Sequence, residues 1–326
     1  MKKNRILVAA LLVWQGAGIS QAAFPKPPSP PPPPPPPNQL IDAAKQAADD
    51  AAKKAREAAE KAAAMAPPVC PALPPPPPLP HPLAGPVTRQ QRALLVISAG
   101  LARYGDDRLK SLYQFAQSSG ATLPKAQLGP VYEKIVVLDR GQGTVSQFYN
   151  NLSQLAASYS AVDVIIHSHG QPNSLLFEDG SFTSSDLANV ALGTAGTLKV
   201  SPQAPGQVLE ELRLPPLNRT QRGHLRLVYE TACFGESHAD GWLKMGFDVA
   251  AGAHQVHADS AASFPTFVNW WGAGYTFGEA VDAANRADPN RSYDKWCDKI
   301  GLTPADSQRS VKGRRTINLA TSPGAN

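Results

Sequence analysis

The chain has 326 residues, 33 prolines, three cysteines and a formal net charge of +5. This length could hold two domains, but the prolines concentrate near the front and favour one domain behind a long stalk. Lys2, Lys3, Arg5 and Lys26 carry four of the five excess positive charges, so the rest of the chain is nearly balanced. Such a chain lacks the basic footprint of a protein that binds nucleic acid.

The first 22 residues have the features of a secretory signal peptide. A basic start precedes an apolar core at residues 6–14, and Ser20-Gln21-Ala22 supplies a small-residue cleavage site. The core is about half as long as a membrane-spanning helix. We therefore expect an exported protein, periplasmic or secreted, with no stable membrane insertion after cleavage.

Residues 23–87 predict an extended stalk in three parts. Residues 23–38 and 67–87 are proline-rich linkers whose composition favours polyproline II. Residues 39–66 are rich in alanine and in charges of both signs, contain no proline or glycine, and predict a solvated spacer helix. A stalk of this kind could contact the cell envelope. A propeptide is the other interpretation that the composition allows.

Residues 88–300 predict a single α/β domain in which strands alternate with helices. That alternation is typical of a mainly parallel sheet with helices on both faces, a three-layer αβα sandwich. Besides two strands discussed below, strands are expected at 93–97, 134–138 and 247–253, and helices at 107–118, 144–158, 264–271 and 276–286.

Three shorter signals complete the prediction for the domain. The sequence Glu178-Asp179-Gly180-Ser181 indicates a β-hairpin. The run 184–186 resembles a helix N-cap. Residues 301–326 are polar and predict a flexible C-terminal tail.

Two predicted strands stop at a reactive side chain followed by glycine. Residues 162–170 end in His169-Gly170, and residues 225–235 end in an Ala-Cys-x-Gly motif around Cys233. Both runs are apolar and β-branched, as in central strands of a parallel sheet. Residues just past the carboxyl ends of such strands line the crevice where ligands bind. An imidazole and a thiol at that edge are the components of a cysteine nucleophile with a histidine base.

A strand ending in His-Gly and a later strand ending in Ala-Cys-x-Gly resemble the caspase-like cysteine peptidases, which include caspases, legumains, gingipains, clostripain and separase. The resemblance covers about residues 94–285. It extends to the run 246–253, which is similar to the family's strand after the cysteine. It implies a caspase–haemoglobinase fold, an acyl-enzyme mechanism, a protein or peptide substrate and no cofactor.

The same resemblance assigns roles to individual residues. It makes Cys233 the nucleophile and His169 the general base, and it places the oxyanion hole at the backbone N–H groups of Gly170 and Cys233. Thr231 stands where legumains have an acid and caspases a glutamine, so the resemblance implies no preference for Asn or Asp.

The resemblance also implies a substrate pocket in the loop after the strand at 247–253. Asp259, Ser260 and Ser263 are the candidate pocket residues there, and Asp259 could bind a Lys or Arg side chain. A loop aspartate without such a role is the alternative for Asp259. His167 is interpreted as a structural histidine beneath the site.

Three cysteines in an exported protein leave at least one unpaired. A disulfide between Cys70 and Cys297 would attach the stalk to the domain and keep Cys233 reduced, as a nucleophile requires. Sequence alone does not determine the connectivity, and the Cys70–Cys297 pair is our expectation.

Two other classes of function stay open on the sequence. One is a zinc site built from His167, His169, His254, His257 and Asp259, although their spacing matches no known zinc signature, and we expect no metal. The other is a catalytically inactive caspase-like module that binds a partner in the cell envelope. A serine hydrolase is disfavoured because no Gly-x-Ser-x-Gly elbow follows a strand.

Overall fold

The computed structural model describes residues 45–46, 49–57, 68, 75–79, 83, 85–100, 110–202 and 209–324. The chain forms two compact units, Met1–Glu60 and Lys61–Asn326. In the first unit, residues 45–46 and 49–57 are helical and exposed, as their alanine-rich composition favours. The predicted signal peptide, the first proline linker and Cys70 lie outside the described residues.

The second unit is built on a six-stranded sheet with the strand order β11-β10-β9-β3-β1-β2. The first five strands of the chain in this sheet run parallel, and β11 pairs antiparallel with β10 at the edge. The strands are β1 (Arg92–Ser98), β2 (Lys134–Asp139), β3 (Ala161–His167), β9 (Leu225–Glu230), β10 (Val249–Ala253) and β11 (Arg309–Gly313).

Eight helices of the described part of this unit accompany the sheet: α1 (Lys110–Leu123), α2 (Val145–Ser158), α3 (Ser184–Ala191), α4 (Arg219–Arg222), α5 (Ala239–Met245), α6 (Ser260–Gly272), α7 (Phe277–Asn285) and α8 (Ser292–Lys299). Helices α2, α3 and α5 pack in the core on one face of the sheet. Helices α6 and α7 pack in the core on the other. The predicted three-layer αβα architecture with a mainly parallel sheet is therefore confirmed.

Two small antiparallel sheets flank the large one. The first joins β4 (His169–Gln171), β5 (Ser174–Phe177) and β6 (Gly180–Phe182), and the second joins β7 (Leu198–Val200) to β8 (Glu210–Leu212). The β5–β6 turn lies at the sequence that indicated a hairpin. Strand β4 follows β3 after a single residue, Ser168, so the hairpin begins at the carboxyl edge of the large sheet.

The C-terminal region differs most from the sequence prediction. Residues 309–313 form β11, and Ile317, Leu319 and Ala320 are buried, so the described part of 301–326 is packed rather than flexible. Helix α8 was also not expected. Both elements are short and polar in sequence and owe their order to packing against the domain, which hydrophobic periodicity does not reveal.

Smaller differences concern the starts of two helices. Thr183, one residue before the expected N-cap run, caps α3 by accepting a hydrogen bond from the Asp186 N–H at 2.9 Å. Helix α6 begins at Ser260, four residues before the predicted start, and contains Pro265. Proline favours the first turn of a helix, which is why the sequence suggested a later beginning.

A buried ion pair joins the two central strands. The Arg226 Nε of β9 donates to Asp163 Oδ1 of β3 at 2.8 Å, and both side chains are fully buried. Nη2 donates to Asp163 Oδ2, and Nη1 donates to the carbonyls of Asn318, Leu319 and Thr321. The middle of the sheet is thus bonded to the last part of the chain.

Described residues of the second proline-rich linker also contact the domain. Tyr275 Oη donates to the carbonyl of Pro77 at 2.7 Å, and the Val87 N–H donates to the carbonyl of Ala320 at 3.2 Å. Among the residues that the structure describes, no helix has the length and apolar content needed to cross a membrane.

Candidate active site

The carboxyl ends of β3 and β9 bring the two reactive segments to one edge of the sheet. The strands are parallel neighbours, with Ile166 opposite Glu230. One further bond, from the Thr231 N–H to the Ile166 carbonyl at 2.9 Å, continues the pairing to the end of both strands. His169 and Cys233 follow within three residues of these ends, as the sequence predicts for a parallel sheet.

Gly170 shows how closely the two segments approach each other. A Cβ atom built on Gly170 would lie 2.1 Å from the Cys233 carbonyl oxygen and 3.1 Å from the Ala232 Cβ. A real Cβ contact never occurs at the shorter distance, so any other residue at position 170 would push the backbones apart. Glycine is required here by close approach rather than by a turn.

Cys233 stands at a sharp backbone turn. Phe234 is left-handed, with φ of 56°, and begins the 3₁₀ helix Gly235–His238. The Phe234 N–H donates to the Gln255 carbonyl at 2.8 Å, and the His257 N–H donates to Cys233 Sγ at 3.3 Å. A non-glycine residue in this conformation needs support from its surroundings, which these bonds to the segment after β10 provide.

The thiol of Cys233 is half-buried, and its pKa is raised. Burial is the main cause, because it disfavours the thiolate, and the His257 N–H opposes it by stabilising that thiolate. Before substrate binds, Cys233 is therefore a protonated thiol at neutral pH.

His169 begins β4, and its ring packs edge-on against Tyr113. The ring centroids lie 4.7 Å apart at an interplanar angle of 82°. Strand β4 is held by antiparallel pairing with β5, in which His169 lies opposite Leu176. The imidazole is thus carried on a hairpin that is separate from the main sheet, whereas the thiol is carried by the main sheet itself.

A buried network couples this hairpin to β9. Glu230, the last residue of β9, accepts from the ring nitrogen Nδ1 of His238 at 2.9 Å and from Trp242 Nε1. The other ring nitrogen of His238 lies 3.0 Å from the carbonyl of Gln171, at the end of β4. Both ring nitrogens face acceptors, so the imidazolium form of His238 suits the network. None of these residues was predicted from the sequence to belong to the site.

The residues predicted to line the substrate pocket lie in a second buried network. Asp259 Oδ1 accepts from Ser263 Oγ at 2.9 Å and lies 3.5 Å from Arg309 Nη2, which also donates to Ser263 Oγ at 2.9 Å. Ser260 Oγ and His257 Nε2 are 2.7 Å apart. Burial raises the pKa of Asp259 to about 6, and Arg309 limits the rise. Asp259 therefore forms an ion pair within the protein, with Arg309.

Arg309 could not have been recognised from the sequence. It lies in β11, within the region expected to be a flexible tail, and its side chain is fully buried. No apolar periodicity marks this run of polar residues. Arg309 pairs antiparallel with Ala253, the last residue of β10. This pairing brings it next to the segment after β10, which contacts Cys233.

The histidines considered for a metal site have other partners. His167 is fully buried, and its Nδ1 lies 2.9 Å from Thr231 Oγ1. Burial, with a contribution from Arg309, lowers the pKa of His167 to about 3, as suits a structural histidine. His254 pairs with Glu236 at the surface, at 2.7 Å. No group of three or more His, Cys, Asp or Glu residues suited to a metal ion occurs in the described part of the chain.

Cys297 is a free thiol near the end of α8. Because Cys70 lies outside the described residues, the Cys70–Cys297 disulfide stays a prediction. Cys297 is fully buried in an apolar cluster with Ala258, Tyr293 and Trp296. Burial raises its pKa to about 12, helped by the negative charge of Asp294. The helix that buries Cys297 was absent from the sequence prediction, which treated this cysteine as an accessible anchor.

No protein-family model matches the sequence, and no curated protein matches it. Among solved structures, the chain is similar to caspase-1 from Spodoptera frugiperda, at 9% identity and a TM-score of 0.43. The similarity covers 77% of this chain and 98% of that chain. At this level the likeness carries no argument about activity, and the site has to be judged on its own residues.

Proposed function

We propose that the protein is an exported cysteine endopeptidase that works through a His169/Cys233 dyad. One observation carries the proposal. The backbone after His169 approaches the Cys233 carbonyl so closely that only glycine fits at position 170, at the carboxyl edge of two parallel strands. An imidazole and a thiol delivered to such an edge have the composition that nucleophilic catalysis needs.

In the proposed reaction the Cys233 sulfur attacks the scissile carbonyl carbon, and His169 accepts the thiol proton. The tetrahedral intermediate collapses to a thioester as His169 passes that proton to the leaving amine. Water then attacks the thioester, giving up a proton to His169, and the acid product leaves as the thiol is restored. The backbone N–H groups of Gly170 and Cys233 are the proposed donors to the oxyanion, each contributing about 3 kcal/mol.

The raised pKa of Cys233 bears on how the thiol is activated. A thiol that is protonated at neutral pH has to lose its proton to a base during attack, so His169 acts as a general base in the acylation step. This differs from an enzyme in which a thiolate–imidazolium pair exists before substrate arrives.

The proposal leaves Asp259 and Ser263 out of substrate recognition. Asp259 is buried and lies 3.5 Å from the guanidinium of Arg309, so a basic substrate side chain would compete with a buried arginine for this carboxylate. We therefore make no proposal that links Asp259 to a preference for Lys or Arg.

A labelling experiment tests the proposed function. The mature protein is incubated with a peptide library to find a cleaved sequence, and then with an irreversible peptidyl electrophile of that sequence. We expect the label on Cys233 and none on Cys297, which is a matched internal control because its thiol is fully buried. If no peptide is cleaved and Cys233 is not labelled, the inactive binding module is favoured instead.

His238 offers a prediction on pH. Burial disfavours its charged form, but the Glu230 carboxylate and backbone carbonyls outweigh burial, so the pKa of His238 is raised above its usual 6.5. The stabilisation from this pair is complete below that usual pKa and is lost as pH rises through the folded-state pKa. It amounts to about 1.4 kcal/mol for each unit by which the folded-state pKa exceeds the usual one.

We therefore expect His238→Gln to lower the melting temperature more at pH 6 than at pH 8. The control is His224→Gln, in which the lost bond is from Nδ1 to the carbonyl of Ala156. Melting curves of the three proteins across this pH range give the comparison. An equal loss for His238→Gln at both pH values would contradict a charged His238.

A further inference from the structure

The described residues 75–79 of the second proline-rich linker lie against an aromatic surface of the domain. Tyr275, between α6 and α7, donates its hydroxyl to the Pro77 carbonyl at 2.7 Å. The Tyr275 ring packs against that of Trp270, with centroids 4.5 Å apart. A proline tract has carbonyl acceptors and no N–H donors of its own, so a fixed hydroxyl donor beside aromatic rings suits it chemically.

The linker's burial follows the repeat of a polyproline helix. Within the described residues 75–79, Pro76 and Leu79 are half-buried, whereas the other three are exposed. Polyproline II has three residues per turn, so positions three apart share one face. The two half-buried side chains therefore lie where such a helix would present one face to the domain.

Gly274 shapes the surface on which Leu79 rests. A Cβ on Gly274 would lie 2.9 Å from Leu79 Cδ1 and 3.4 Å from Leu83 Cδ1. Gly274 also has a φ of 95°, a backbone angle that residues with a side chain rarely adopt. The lack of a side chain at this position lets the half-buried Leu79 and the exposed Leu83 approach the Gly274 backbone.

We propose that Trp270, Gly274 and Tyr275 form a recognition site for polyproline II, and that its resident ligand is the chain's own segment 75–79. The site is separate from the proposed nucleophile, because it lies at the carboxyl end of α6, whereas His257, whose N–H donates to Cys233 Sγ, precedes the start of that helix. Residues 75–79 are thus a docked strap rather than a free spacer.

The first test follows docking in the full chain. A fluorophore is attached at Pro75→Cys, an exposed position, in a Cys70→Ser, Cys233→Ala background. We expect high anisotropy that falls when Tyr275→Phe is added. The matched control is Tyr149→Phe, which removes the same kind of bond, from a tyrosine hydroxyl to the Pro215 carbonyl, elsewhere in the domain. Equal anisotropy in all three proteins would overturn the proposal.

The second test measures binding in trans. In a full-length variant, residues 75–79 are replaced by Gly-Ser-Gly-Ser-Gly, and a labelled synthetic peptide with the sequence of residues 71–83 is titrated. We expect saturable binding to this variant at least tenfold tighter than to the unaltered protein, whose own segment competes at high effective concentration. No binding, with an unchanged melting temperature, would overturn the proposal. So would loss of anisotropy on dilution in the first test, because that would assign the docked segment to a second copy of the chain.

Discussion

Replacing Cys233 by alanine is expected to lower kcat/KM for a cleaved peptide by roughly a thousandfold or more. In the proposed mechanism the sulfur forms the bond to the substrate. When two residues act as a catalytic unit, the enzyme loses most of its activity if either one is removed. His169→Ala should therefore cost about as much, and the double variant little more than either single one. Initial rates on a fluorogenic peptide of the selected sequence measure the effect.

Cys297→Ala is the matched control for this experiment. It makes the same chemical change at a thiol that is fully buried in the cluster around α8 and that the mechanism does not use. The control should keep its activity, and all variants should retain the far-UV circular dichroism of the parent. Full turnover by Cys233→Ala would refute the proposed nucleophile.

The second large effect concerns stability. Arg226→Met is expected to lower the free energy of unfolding by about 3–5 kcal/mol, because it leaves Asp163 charged and buried without its partner. For a domain of this size that corresponds to a fall in melting temperature of roughly 10 °C. Differential scanning calorimetry measures the change directly.

Two controls separate the buried pair from a general effect of charge removal. Arg315→Met removes an arginine whose pairing with Asp282 is about half exposed, and should cost at most about 1 kcal/mol. The double variant Asp163→Leu/Arg226→Met removes both buried charges and should regain much of the loss. A double variant as unstable as Arg226→Met would show that the carbonyl contacts of Arg226, rather than its ion pair, dominate.

The sequence was sufficient for the architecture and for the edge at which the site lies. Apolar runs of strand length, separated by helical patterns, determine the parallel sheet, and the sheet determines where the residues after β3 and β9 emerge. This is local information, because it depends on the periodicity within each run. It accounts for the correct prediction of β1, β2, β3, β9 and β10.

The sequence was insufficient for the buried polar networks. Asp163 and Arg226 each interrupt an apolar strand, a signal that was present and not used, and their positions in neighbouring strands would have suggested a pair. Arg309 and His238 gave no comparable signal. Their partners, Asp259 and Glu230, are defined only by tertiary contacts across β10–β11 and between β9 and the helix that follows it.

The bonds from Arg226 to residues 318–321 have a consequence for biosynthesis. A nascent chain that has emerged only as far as β10 already contains both central strands, but its Arg226 still lacks three carbonyl acceptors, and Arg309 of β11 has not yet been made. Domains usually fold as units during synthesis. This domain should therefore stay incompletely folded until residues 318–321 leave the ribosome, so an interrupted translation product would be exposed to proteolysis.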